Sequence, residues 1–213
     1  MCGRFTTLTY EEVLRVIESI ASPESEDLAS MHAAFADGPQ VDATASGQAL
    51  VITDTPSGLQ PTQATWGFRL REGGQLAINA RIESARKPQS MWGPAFDQGR
   101  CVVPARRFFE PHISETAISP KTGKPARRQY CFEPVARPYL LMAAVISEER
   151  FAIVTTSPTP EVAPIHPRMP LLLEPEDVPL WLFGGRDCLD LPFGTRLAIE
   201  PEHPEENYQA ALF

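Results

Sequence analysis

Apolar positions recur at helical spacing behind Thr9, where Val13, Leu14, Ile17 and Ile20 follow Thr9-Tyr10-Glu11-Glu12. That tetrad is a capping box, in which the Thr hydroxyl and the Glu carboxylate each accept from amides left free at a helix start. The pattern predicts a helix near residues 10–20. Residues 21–47 are small, polar and punctuated by Pro and Gly, and read as loop. Short β-like runs follow at 49–53, 64–68, 100–103, 108–110, 129–132, 139–146 and 151–155. A second helix is expected after Pro175, where Glu176 and Asp177 suit the positive end of a helix dipole. Strands that outnumber helices, with no repeat and no dividing linker, predict an α+β fold. It is read as a single domain over residues 1–213, with mostly antiparallel strands and peripheral helices.

Composition keeps that picture and narrows the setting. The 213 residues are 43% hydrophobic and 22% charged, as in an ordinary globular protein able to bury a core without staples. The 22 prolines are spread along the chain and suggest many short elements joined by loops. Cys2, Cys101, Cys131 and Cys188 lie far apart, with neither the spacing of a metal site nor an export signal to favour disulfides. No metal or other cofactor is expected. The longest apolar run, Tyr139–Ile146, is far short of the ~20 residues of a membrane helix. A cytoplasmic monomer with no obligate protein partner is therefore expected. A net charge of −8 disfavours nucleic-acid binding at first sight. Acid, however, is concentrated late, at Glu174, Glu176, Asp177, Asp187, Asp190, Glu200, Glu202, Glu205 and Glu206. Base gathers at Arg100, Arg106, Arg107, Lys121, Lys124, Arg127 and Arg128, which leaves room for a local basic face.

Cys2 changes the picture most. Initiator methionine is removed when the second side chain is small, so the mature chain is expected to begin with Cys2. An α-amine and a thiol then sit on adjacent carbons, with reference pKa values of ~7.7–8.0 and ~8.5. Such a pair takes an aldehyde in two steps: the amine gives an imine, and the thiol closes a five-membered thiazolidine. Where Met1 stays, the Cys2 nitrogen is an amide and this route is closed. The plain alternative is an incidental Cys near a chain end.

Met1-Cys2-Gly3-Arg4-Phe5 is followed, in order, by Trp66-Gly67, then Asn79-Ala80-Arg81-Ile82-Glu83-Ser84 with Lys87-Pro88. Next come Arg100-Cys101-Val102-Val103-Pro104-Ala105 with Phe108-Phe109-Glu110, and Thr155-Thr156 with Ala163-Pro164-Ile165-His166-Pro167-Arg168-Met169-Pro170. Together these resemble the SRAP (SOS-response-associated peptidase) family over residues 2–183, and leave 184–213 as a divergent acidic C-terminal segment. The resemblance implies an SRAP-type fold with a barrel-like sheet core. It also implies an abasic-site sensor of the DNA-damage response, nucleoid-associated when it acts on DNA. Its members capture the ring-opened aldehyde of an abasic site in single-stranded DNA through the N-terminal Cys, one protein consumed per site.

Carried over by motif, Cys2 is the nucleophile, and Asn79, Glu110 and His166 complete the catalytic set. A carboxyl and an imidazole can open the sugar hemiacetal and assist loss of water from the carbinolamine. Asn79 offers a donor and an acceptor to position the terminus. Arg4, Trp66, Arg81 and Arg168 are the candidate DNA-binding residues, the guanidinium fork suiting phosphate and the indole suiting a base. Each has a structural alternative. Glu110 could be an edge carboxylate paired with Arg106 or Arg107, His166 a structural ring, the arginines partners of internal carboxylates, and Trp66 core. His32, His112 and His203 carry no context beyond a surface.

Parts of the periphery depart from the family pattern. Ala43-Thr44-Ala45-Ser46-Gly47-Gln48 lacks the usual Asn and Pro, Pro111-His112 follows Glu110 where a Trp is usual, and Ala144-Val145-Ile146 replaces Gly-Leu-Trp. Two other functions compete with abasic-site capture. One is an N-terminal-nucleophile peptidase or amidase, which needs an oxyanion hole; the resemblance also leaves autoproteolytic or peptidase/lyase-type activity open for the crosslinking sensor itself. The other is a non-covalent single-stranded DNA-binding module.

Overall fold

The structure is a computed structural model that describes residues 2–23, 27–70, 74–119, 122–186 and 195–203, with backbone alone at 208–209. Met1, Lys121, Asp187, Cys188, Asp190, Glu205 and Glu206 lie outside the described residues. The chain runs β1 (Arg4–Thr6), α1 (Tyr10–Ala21), α2 (Leu28–Ala36), β2 (Asp42–Thr44), β3 (Gln48–Thr55) and β4 (Gly58–Trp66). Then come β5 (Phe68–Arg69), β6 (Leu76–Ala77), β7 (Asn79–Arg81), α3 (Ile82–Ala85), α4 (Gly93–Gln98), β8 (Arg100–Ala105) and β9 (Arg107–Ile118). The rest is β10 (Pro125–Pro134), β11 (Leu140–Ser147), β12 (Arg150–Thr156), β13 (Met169–Pro170), β14 (Leu172–Leu173), a 3-10 turn (Pro175–Asp177), α5 (Val178–Phe183), β15 (Leu197–Pro201) and β16 (Tyr208–Gln209).

Two large, mainly antiparallel sheets and a small β5-β6 pair form an α+β fold. One has the order β15-β10-β9-β1-β2, with β16 also on β9. The other has the order β13-β12-β4-β3-β8-β11-β14. Because β12 also pairs with β11, the pairings of β12, β4, β3, β8 and β11 return on themselves in a ring. The barrel-like core expected from the resemblance takes this form. Its β12–β4 seam, and the addition of β7 to β12, are parallel.

Alternation along the ring strands sorts the core into two layers, since successive side chains point to opposite faces. Leu141, Ala143 and Val145 of β11, with Ala152 and Val154 of β12, face a cluster built with Val13, Val16, Phe96 and Trp181 of the helices. Leu140, Met142 and Ala144, with Phe151 and Ile153, face the other cluster, which holds Cys2, Phe5, Phe108 and Phe132. Both faces of these strands are buried, which is why they read as unbroken apolar runs.

Helix α1 begins as its capping box requires: Thr9 N–H donates to Glu12 Oε2 at 2.8 Å and Glu12 N–H to Thr9 Oγ1 at 3.3 Å. Glu12 is buried and also pairs with Arg106, whose Nη1 donates to the Phe35 carbonyl at 2.6 Å. Residues 21–47, expected as loop, contain α2 and β2. Helix α2 buries only Met31 and Phe35, one turn apart, so its small-residue sequence gave little periodicity.

Candidate active site around Cys2

The N-terminal strand sets the position of Cys2. β1 lies between β2 and β9, with Arg4 opposite Phe109 and Phe5 opposite Phe108. Phe5 is buried against Trp66 and Phe151, at ring-centroid distances of 5.0 and 6.5 Å. This apolar anchor leaves Cys2 just beyond the strand, wholly buried in the layer between the sheets. Its carbonyl accepts a hydrogen bond from Asn79 Nδ2 at 2.8 Å, and its Sγ donates to the Arg4 carbonyl at 3.6 Å. Asn79 opens β7, in register with Ile153 of β12, so the ring holds it rigidly.

Glu110 lies on β9, next to Phe109, and faces inward with Phe108. It is fully buried, and its Oε2 is 3.7 Å from His166 Nδ1. His166 closes a tight turn in which its amide and that of Ile165 both donate to Val162, at 3.0 and 2.9 Å. Buried Val162 and Ile165 plug this turn into the core, and Ile113 N–H ties it to β9 through the Ile165 carbonyl at 2.8 Å. Cys2 thus shares its buried layer with Phe108, Val162 and Ile165, the neighbours of the Glu110–His166 pair, and is joined to Asn79 directly. Among the described residues no group of His, Cys, Asp and Glu could hold a metal ion.

Burial dominates the electrostatics. It pushes the Glu110 carboxyl up to about 7, because the anion loses its water. It pushes the Cys2 thiol far above its ordinary value, and the nearby Glu110 charge adds to the rise. It pulls the His166 imidazole below its ordinary value, so the ring stays neutral near pH 7. The site accordingly holds a neutral thiol, a neutral imidazole and a carboxyl that can both give and take a proton.

The candidate DNA-binding residues part company. Arg81 is exposed and paired through its backbone with Thr155 of β12; its side chain makes no hydrogen bond or ion pair with a described residue, though its charge helps to lower the Glu83 carboxyl. Arg4 lies over the Phe109 ring at 3.7 Å, with its fork on Glu202 at 2.6 and 2.5 Å and a third contact to Asp42 at 3.0 Å. Arg168 is likewise engaged, by Glu83 at 2.7 and 3.0 Å and by the Thr155 carbonyl at 2.7 Å. Trp66 corrects the sequence reading. It is wholly buried, stacks on Phe151 at 6.1 Å and donates from Nε1 to the Ile78 carbonyl at 2.8 Å, so it fills the core and offers no face to a base. Gly67 follows it at φ 112°, where a Cβ would press on Leu76 and Ile78 at 3.1 and 3.2 Å.

Of the basic residues gathered in sequence at 100–128, most are engaged within the protein, while Lys124 and Arg127 are exposed. Arg106 pairs with Glu12, Arg107 with Glu133 and Arg128 with Glu115, while Arg100 and Arg127 donate to backbone carbonyls. Glu110 pairs with neither Arg106 nor Arg107, which rules out its edge-carboxylate alternative in this structure. His112 is no free surface ring: its Nδ1 accepts from the Ser114 and Glu115 amides at 3.2 and 3.0 Å. Sequence reasoning gave no separate role to Glu83, whose bond to Arg168 spans 85 residues and leaves no local signature.

Comparison with known proteins agrees with this architecture. Two curated relatives named "Abasic site processing protein YoqW", from Bacillus subtilis and from Bacillus phage SPbeta, are each 26% identical over 197 residues, covering 85% of this chain and 80% of theirs. A phage-related protein of Bordetella bronchiseptica superposes with a TM-score of 0.66 at 21% identity, covering 94% of this chain and 93% of that one. A protein of Bacteroides thetaiotaomicron gives 0.56 at 20% identity, with 86% and 82% covered. The family model described as SOS response associated peptidase (SRAP) matches residues 1–191, and the chain belongs to that family.

Proposed function

We propose that this protein processes abasic sites in DNA, by capturing the sugar aldehyde of single-stranded substrates in a thiazolidine on Cys2. The observation that carries the reading is the buried cluster itself: Cys2 held through its carbonyl by Asn79, in one layer with the neighbours of a Glu110–His166 pair 3.7 Å apart. The printed name of the curated relatives, abasic site processing protein, supports the same substrate.

The protonation states suggest an order of events. Once Met1 is removed, the Cys2 amine is the stronger nucleophile, because burial keeps the thiol protonated. His166 accepts the proton of the sugar hydroxyl and passes it to the ring oxygen as that C–O bond breaks, so the hemiacetal opens to an aldehyde and a free hydroxyl. The amine adds to the aldehyde carbon to give a carbinolamine, and Glu110, protonated about half the time near pH 7, donates the proton with which water leaves. The resulting carboxylate takes the thiol proton while sulfur adds to the carbon of the protonated imine, whose nitrogen keeps its own hydrogen, and Glu110 ends protonated as it began. One C–N and one C–S bond form and one water is released. Because the imine is consumed, the neighbouring C–H bond is no longer activated and the DNA strand stays intact. Arg81, exposed beside Asn79 on β7, is the phosphate partner in this scheme.

The test is a denaturing gel of mature protein with single-stranded DNA carrying one abasic site. Wild type should give a stable one-to-one adduct. Cys2→Ser should lose it and retain at most amine-driven strand cleavage. A stable adduct on Cys2→Ser, or on a chain retaining Met1, would falsify the mechanism. Catalytic turnover of a peptide or amide with no titration by abasic DNA would favour an N-terminal-nucleophile hydrolase.

A further inference from the structure

Past Glu110 the pairing of β9 with β10 is interrupted. Pro111 lies opposite Gln129, yet Thr116 lies opposite Arg127, so residues 112–115 of β9 bulge out of the ladder. Ladder hydrogen bonds are lost there, and side chains replace some of them. His112 Nδ1 accepts from the Ser114 and Glu115 amides, while Arg127 Nη1 donates to the His112 carbonyl at 3.1 Å and to the Ile113 carbonyl. The bulge is tied in turn to the site: Ile113 N–H donates to the Ile165 carbonyl at 2.8 Å, and His166 is the next residue. The Arg127 guanidinium is therefore two hydrogen bonds away from the turn that presents His166.

Those bonds leave much of the group unused. A guanidinium carries five N–H donors in one plane. Only Nη1 of Arg127 is engaged; Nε and Nη2, an edge that fits two phosphate oxygens, have no partner among the described residues, and the residue is exposed. Other arginines around the site differ. The forks of Arg4 and Arg168 are closed by Glu202 and Glu83, and Arg128 lies against Glu115. The acids near Arg127 are spent as well. Glu115 accepts from the Tyr130 hydroxyl at 2.7 Å, and Glu202, whose amide donates to the Gln129 carbonyl at 2.9 Å, turns its carboxylate to Arg4. An exposed cation is often merely solvated, but the field of this one reaches the site: burial is the main cause of the low His166 imidazole, and the Arg127 charge adds to it.

We propose that Arg127 is a DNA-binding residue of this site: its Nε–Nη2 edge takes a phosphate next to the abasic sugar, on the His166 side and distinct from the phosphate of Arg81. The inference rests on the reading of Cys2, Glu110 and His166 as the reacting groups of an abasic-site protein. It supplies a chain of net charge −8 with a cation where the DNA backbone must pass. Lys124 is the natural comparison. It is exposed on the same hairpin, nearer the tip, and its ammonium group has no partner among the described residues. A general attraction of the hairpin for DNA would use both charges alike, whereas a phosphate seat at the site needs Arg127.

Single-stranded DNA carrying a tetrahydrofuran abasic analogue, which has no aldehyde, reads binding without chemistry. Fluorescence anisotropy across a salt series should show severalfold weaker binding by Arg127→Gln and a salt slope smaller by about 1, with Lys124→Ala close to wild type. Gln keeps a donor for the bulge carbonyls, and Arg127→Lys, which keeps the charge, should restore the slope. Replacing the phosphates beside the analogue one at a time by neutral methylphosphonate then locates the contact. At one of them the loss seen with wild type should be absent in Arg127→Gln, while at the others the two losses should add. Additive losses at every phosphate, or an unchanged slope in Arg127→Gln, overturn the proposal and leave Arg127 serving the bulge alone. Equal losses in Arg127→Gln and Lys124→Ala overturn it in favour of diffuse charge, and so does a wild type with no salt-sensitive binding. Adduct formation on DNA with a genuine abasic site is measured alongside. If wild type forms none, the functional reading falls, and the methylphosphonate comparison still decides the role of Arg127.

Discussion

Replacing Glu110 by Gln tests the electrostatic core of the site, because the substitution keeps the shape and removes the charge. Burial raises the Glu110 carboxyl from 4.5 to about 7 in the folded protein, whereas the unfolded chain holds it at its ordinary value. Between those two values the folded state binds more protons than the unfolded one, so stability falls as pH rises. The stabilising contribution of protonation is complete below the unfolded pKa and is lost as pH climbs through about 7. At ~1.36 kcal/mol per unit, the penalty for an ionised Glu110 above that range is about 3 kcal/mol. The Gln variant never bears that penalty. Urea unfolding should therefore give similar stabilities for the two proteins below about pH 5, and Glu110→Gln more stable by about 2–3 kcal/mol above about pH 8. The same variant should capture abasic DNA far more slowly, since an amide can neither give nor take the proton. Equal stabilities at high pH, or a wild type that gains stability with pH relative to the variant, would show that Glu110 is not held near neutrality by burial.

Other substitutions separate binding, gating and folding. Arg81→Ala should weaken binding to single-stranded DNA of any sequence and lower the salt slope by about 1, measured by fluorescence anisotropy across a salt series. Glu202→Gln should tighten binding severalfold and steepen the same slope if the Arg4 fork takes a phosphate once released from Glu202. No change would place Arg4 among purely structural residues. Glu12→Ala should cost about 3–5 kcal/mol in chemical denaturation, because it strands the buried Arg106 guanidinium and removes one arm of the α1 capping box.

What could be read from the sequence follows from how local each signal is. The α1 start lay in four consecutive residues, and its capping box formed as written. The runs at 100–103, 139–146 and 151–155 found β8, β11 and β12 because both faces of those strands are buried. The long outer parts of β9 and β10 escaped, since their exposed ends alternate weakly and carry many polar residues. Strands of two or three residues, such as β1, β7, β13 and β14, exist only because a neighbour pairs with them, and no periodicity can announce that. Around Cys2, motifs drew attention to Asn79, Glu110 and His166, while the fates of the arginines depended on distant carboxylates. Glu202 lies 198 residues from Arg4, and the cluster at Arg106, Arg107 and Arg128 was spent on internal pairs. A run of like charges in a chain is no measure of a charged surface once folding supplies the counter-charges.

The most direct test of the account is the mass and position of the adduct. Mature protein is incubated with single-stranded DNA bearing one abasic site, digested, and the crosslinked peptide sequenced by mass spectrometry. The account predicts a single adduct on the N-terminal peptide beginning at Cys2, with the mass of peptide plus nucleotide minus one water, and with neither a free thiol nor a free amine. An adduct on any other residue, or one at Cys2 that keeps its α-amine free, would contradict it.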